Sequence, residues 1–67
     1  MSTEEKNRLK RKEAELIKRL ERLKRAMNET RELETLAFKG KLFKQVQEEL
    51  RHLQERLADI EAEEKKA

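Results

Sequence analysis

Leucine recurs along this chain at heptad spacing, in two series that do not share a register. In the first, Leu9, Leu16 and Leu23 occupy one row, with Leu20 and Met27 in the row beside it. In the second, Phe43, Leu50 and Leu57 form one row, and Val46, Leu53 and Ile60 the other. An apolar period of 3.5 residues belongs to α-helices that pack along a narrow seam. Continuing the first register would fill its seam with Ala37, Lys41, Lys44, Glu48, Arg51 and Glu55, which charge would destroy. The offset between the series is neither a single stutter nor a stammer, which insert four or three residues. Pairing must therefore change between them. Gly40, the only glycine in a chain without proline, lies in that gap.

A reversal near Gly40 gives an all-α fold: a two-helix antiparallel coiled-coil hairpin. Its first helix is expected over about residues 3–36, its turn over about 37–41 and its second helix over about 42–64. Ser2 and Glu5 have the spacing of a capping box, and Lys65 and Lys66 suit the negative end of a helix dipole. Folding about the midpoint sets Met27 near Leu50, Leu20 near Leu57 and Leu16 near Ile60, so apolar rungs face apolar rungs. The flanks agree, because Lys10, Lys12, Arg19, Lys24 and Arg31 lie beside the first seam, and Glu49, Glu61 and Glu63 beside the second. Residues 6–25 hold ten Lys or Arg against three Glu, whereas residues 45–64 hold seven acidic against two basic groups. First helix against second is thus attractive, and first against first repulsive. Two features oppose a turn at this place. A helix starting at 42 has no Ser, Thr, Asp or Asn cap, and Lys41 and Lys44 have the wrong sign for its positive end. Glycine inside a helix costs only about 1 kcal/mol relative to alanine. The alternative is a long helix whose halves pair antiparallel with those of a second chain.

At 67 residues the chain is a single small domain, near the lower limit for a self-sufficient core. Charged residues reach 49%, which in an unpatterned chain would mean disorder; the ordered leucine period argues for helices instead. Two lone helices half-bury their seams, which is too little against the entropy of ordering. Ile17, Leu33, Leu36, Phe38 and Leu42 widen the apolar stripe beyond a two-stranded seam, as happens when each helix meets more than one neighbour. The expectation is a homo-oligomer, first a dimer: two hairpins docking as a four-helix bundle or a larger helical assembly. Its core and interface would be drawn from the seam residues from Leu16 to Ile60, with the 36–43 cluster closing one end or forming part of the interface. A helical partner from another chain would use the same faces.

Chemistry beyond packing is sparse. Without cysteine there are no disulfides or thiolate metal sites. Glu49 and His52 have the Glu-x-x-His spacing of di-metal helix bundles, but on a helical wheel His52 turns away from the second seam, so it is read as a solvent-exposed histidine and no metal or cofactor is expected. The only serine stands near the terminus, and no carboxylate has neighbours that predict a raised pKa, so the chain is read as non-enzymatic. Arg11, Lys18, Arg22 and Arg25 line one stripe of the first helix and could track phosphates. Glu15 interrupts the stripe, and no Tyr or Trp is present to stack on bases, so nucleic acid ranks behind self-association. The segment from Leu36 to Val46, with its lysines, could dip into a membrane surface, though end-of-bundle packing fits it better. No apolar run approaches the ~18 residues of a membrane span and no signal-peptide pattern opens the chain, so a soluble, cytoplasmic protein is expected if it is natural.

The Ser-Thr-Glu-Glu opening, the run Leu16-Ile17-Lys18-Arg19-Leu20-Glu21-Arg22-Leu23 and the Glu/Lys/Arg surface resemble de novo designed helical bundles. That resemblance covers the whole chain and implies an assembly of amphipathic helices with no catalytic site. The ending Leu57-Ala58-Asp59-Ile60 and the Glu13-x-x-Leu16-Ile17 start are similar to the antiparallel coiled-coil hairpin that opens hantavirus nucleoproteins. These matches fall mostly on heptad positions, and imply a hairpin without implying a function.

Overall fold

The structure is a computed structural model that describes residues 2–66. Two helices fill it, α1 over Ser2–Glu29 and α2 over Leu33–Lys66, folded against each other as an antiparallel hairpin. At 1.5 Å per residue, the 34 residues of α2 account for the long dimension of a rod measuring 52 × 15 × 13 Å. The side chain of Ser2, half of the expected capping box, lies outside the described residues.

The reversal comes earlier than the sequence suggested. It occupies residues 30–32, and the whole 37–41 stretch is helical, with Gly40 inside α2. The expected first helix to residue 36, turn at 37–41 and second helix from 42 are corrected accordingly. Energetics explain the difference. A glycine penalty of about 1 kcal/mol cannot by itself break a helix, whereas Thr30 and Glu32 satisfy backbone groups on both sides of the actual turn. The Thr30 hydroxyl donates to the Ala26 carbonyl at 2.7 Å, and the Thr30 N–H donates to the Met27 carbonyl at 3.3 Å, which tightens the last turn of α1. On the other side the Glu32 carbonyl accepts the Leu36 N–H at 2.9 Å, and its carboxylate accepts the Thr35 hydroxyl at 3.0 Å. Glu34 in the first turn of α2 has the right sign for the dipole, so Lys41 and Lys44 stand in the helix interior. No described residue has a positive φ, and the turn needs no glycine.

The second seam runs back through this stretch without interruption. Leu36, Lys39, Phe43, Val46, Leu50, Leu53, Leu57 and Ile60 follow one another at alternating steps of three and four. α1 presents Leu9, Glu13, Leu16, Leu20, Leu23 and Met27 in the same rhythm. Moving the turn also moves the rungs. Met27 lies beside Gly40, at 4.0 Å from where a Cβ would stand, rather than beside Leu50. That is ten residues, or about 15 Å along the helix, from the expected pairing. Glu5, which the expected rungs would leave facing nothing, reaches Arg56.

Leu16, Val46, Leu53 and Leu57 form the buried core, with Leu9, Leu20, Leu23 and Leu50 packed around it. Ile60 is the most buried side chain, at 2% exposure near the open end. The core is therefore a single apolar strip between two helices, with both broad sides of the hairpin left to solvent.

Candidate interaction surfaces

Five of the residues expected to form core or interface are buried: Leu16, Val46, Leu53, Leu57 and Ile60. Leu20, Leu23, Met27, Leu36, Leu42, Phe43 and Leu50 are half-buried along the edges of the strip. Leu33 and Phe38 are not in the core at all, with 81% and 63% of their surfaces exposed, and Ile17 is 40% exposed. The 36–43 cluster does not close over the end of the hairpin: Phe38 turns outward from the continuous helix that carries it.

The two broad sides differ. One is bordered by residues that immediately precede seam positions, and it carries ion pairs between the helices. The Arg56 guanidinium donates to Glu5 Oε1 through both Nη2 at 3.0 Å and Nε at 3.3 Å. One α1 turn pair further on, Lys12 Nζ lies 3.6 Å from Glu49 Oε1. The other side is bordered by residues that immediately follow seam positions. There α1 places Ile17 between Lys10 and Lys24, while α2 places the uncharged Leu33, Gly40, Gln47 and Gln54 nearest the seam, with Lys44 and Arg51 one row further out. Lys6 and Glu64 close the open end with a contact of 3.1 Å.

At the turn, Lys39 takes a seam position yet makes a polar contact. Its ammonium donates to the Thr30 hydroxyl oxygen at 3.0 Å, and that hydroxyl in turn donates to the Ala26 carbonyl. The last turn of α1 has no basic residue of its own, so a cation borrowed from α2 sits against its negative end. The Thr30 and Lys39 corner was not visible in the sequence, because its two halves are nine residues apart and meet only after the reversal.

The basic stripe of Arg11, Lys18, Arg22 and Arg25 lies on the exposed outer face of α1. Among the described residues, none of the four lies within 4.0 Å of a carboxylate oxygen. A shallow depression lined by Glu4, Asn7, Arg8 and Arg11 and another lined by Lys44, Gln47, Glu48 and Arg51 each belong to a single helix. Neither has the enclosing walls with which small-molecule sites bury their ligands. His52 is 65% exposed between Glu48 and Glu55, at 3.8 and 3.9 Å, while Glu49 is turned to Lys12. The Glu49 and His52 pair of the sequence motif thus does not converge. Among the described residues, no group of three or more acidic or histidine side chains is placed to hold a metal ion. No helix among them is long and apolar enough to cross a membrane.

No family model, curated protein or solved structure matches this chain.

Proposed function

We propose that this protein is a non-catalytic structural module that self-associates through the broad faces of its hairpin, most simply as a dimer forming a four-helix bundle. The observation that carries this reading is the unburied surface. A compact monomer of 8.1 kDa would expose about 4,500 Å², whereas this hairpin exposes 5857 Å². The difference of about 1,400 Å² exceeds the ~800 Å² that each partner contributes to a standard protein interface. Exposed Ile17 and Leu33 supply apolar area for such a contact. The resemblance to designed bundles points the same way. Reading the module as non-catalytic rests on its residue chemistry, which offers no cysteine and a single exposed histidine.

Sedimentation equilibrium from 1 to 100 μM, with helicity followed in parallel, tests this. Masses above 8.1 kDa that grow with concentration are expected; a monomer that keeps its full helicity at the highest concentration would refute the proposal.

One observation favours a second reading. The four unpaired cations on α1 form a stripe that a polyanion could neutralise, as in salt-dependent, sequence-independent nucleic-acid binding. Fluorescence anisotropy with single-stranded and duplex oligonucleotides at two salt concentrations separates the readings. Micromolar binding that weakens steeply with salt would put nucleic acid first.

A further inference from the structure

We infer that the second copy docks on the side of the hairpin bordered by Ile17, Leu33, Gly40 and Gln47, and that the two hairpins are related by a twofold axis parallel to the helices, with both turns at the same end. This rests on the self-association proposed above and specifies its geometry.

The face follows from what each side would have to bury. On the opposite side, the Glu5 to Arg56 and Lys12 to Glu49 pairs would lose their water if a second copy covered them, and desolvating paired charges offsets much of what their attraction contributes. On the side of Ile17 no ion pair joins the helices among the described residues, the α2 positions nearest the seam are the uncharged Leu33, Gly40, Gln47 and Gln54, with Lys44 and Arg51 further out, and exposed Ile17 and Leu33 gain by being covered. A Cβ at Gly40 would meet only Met27 Cε, at 4.0 Å, so the backbone there lies open to a neighbour.

The axis follows from symmetry and charge. Two identical hairpins that stack the same face, with helices aligned, have two arrangements related by a twofold axis. An axis across the helices puts α1 on α1 of the second copy and the turns at opposite ends. An axis along the helices puts α1 on the second copy's α2, antiparallel, with the turns together. Residues 6–25 hold ten basic and three acidic groups, so the first arrangement opposes two strongly positive segments. In the second, at the register in which Lys6 meets Glu64 and Lys12 meets Glu49, the first half of each positive segment faces residues 45–64, with seven acidic and two basic groups, and the second half lies level with Lys39, Lys41 and Lys44. Toward the open end of the four-helix square every neighbour is then of opposite sign, whereas the first arrangement opposes like charge along both positive segments.

The chain has no cysteine, so a single Arg31→Cys substitution in the exposed turn takes one spin label per copy. Pulsed electron resonance on the dimer should give a label separation of about 15 to 30 Å, the width of a bundle whose helices lie 8–10 Å apart. A separation near the 52 Å length of the rod would overturn the arrangement while leaving self-association intact. For the face, Ile17→Glu and Leu33→Glu, both outside the hairpin core, should each weaken dimerisation tenfold or more with helicity retained, while Phe38→Glu should leave it nearly unchanged. Dimers that resist the first two and dissociate with the third would overturn the face. A wild-type chain that stays monomeric at every concentration would instead defeat the reading on which this inference stands.

Discussion

Replacing Gly40 with alanine should make this protein more stable, and the size of the gain can be worked out from its surroundings. Gly40 is helical, eight residues into α2, with no positive φ that only glycine could adopt. An added Cβ would stand 4.0 Å from Met27 Cε, an ordinary van der Waals contact, and would meet no other side chain closely. The substitution therefore removes backbone freedom from the unfolded chain without strain in the folded one. It should contribute about 0.5–1 kcal/mol, which for a chain of this length raises Tm by about 2–8 °C. Gly40→Pro provides the contrast. In a helix interior it deletes a hydrogen bond and clashes with the preceding turn, at a cost of about 3 kcal/mol or more; in a turn it would be tolerated. Denaturant and thermal unfolding followed by circular dichroism measure both variants. Loss of stability in Gly40→Ala together with a harmless Gly40→Pro would refute the helical placement of this residue.

Other substitutions probe the corner, the core and the rim. Thr30→Val removes the bonds to Ala26 and from Lys39 and should cost about 1–2 kcal/mol, with a double-mutant cycle against Lys39→Met showing clear coupling. Leu57→Ala, at 7% exposure, should cost about 2–4 kcal/mol in chemical denaturation, whereas Phe38→Ser should stay within about 0.5 kcal/mol of the parent. Glu13 stands half-buried in the leucine seam of α1, so Glu13→Leu should add about 1 kcal/mol by extending the apolar strip. Arg56→Met should cost less than about 1 kcal/mol, and the cost should shrink as salt rises, because Arg56 is exposed and Glu5 is only half-buried.

The helical class, the two seams and the hairpin could be read from the spacing of leucines, because periodicity reports burial directly. Charge gave part of the pairing too: Lys12 and Glu49, expected to flank opposing seams, do meet. The position of the turn could not be read in the same way. Gly40 drew attention as the one flexible residue, yet its penalty is small, and the residues that stop α1 act through side chains. Thr30 bonds back to Ala26, and Glu32 begins α2 although glutamate is not among the favoured N-cap types. The back-extension of the second seam to Leu36 was present in the spacing but masked by Lys39, whose charge makes it look unlike a seam residue. Its ammonium is accommodated there only because Thr30 lies opposite once the chain has folded. The surfaces show the same division. Which residues were apolar was plain from the sequence, but which side of the hairpin holds the ion pairs depends on the register, and the register depends on the turn.

Backbone chemical shifts with methyl NOEs test this account most directly. The prediction is helical carbon shifts running unbroken from Leu33 through Lys39, Gly40 and Lys41, an interruption confined to residues 30–32, and an NOE between the Met27 methyl and the Gly40 α-protons. Helical shifts through Thr30 and Glu32, a break at 38–41 and Met27 in contact with Leu50 would contradict it.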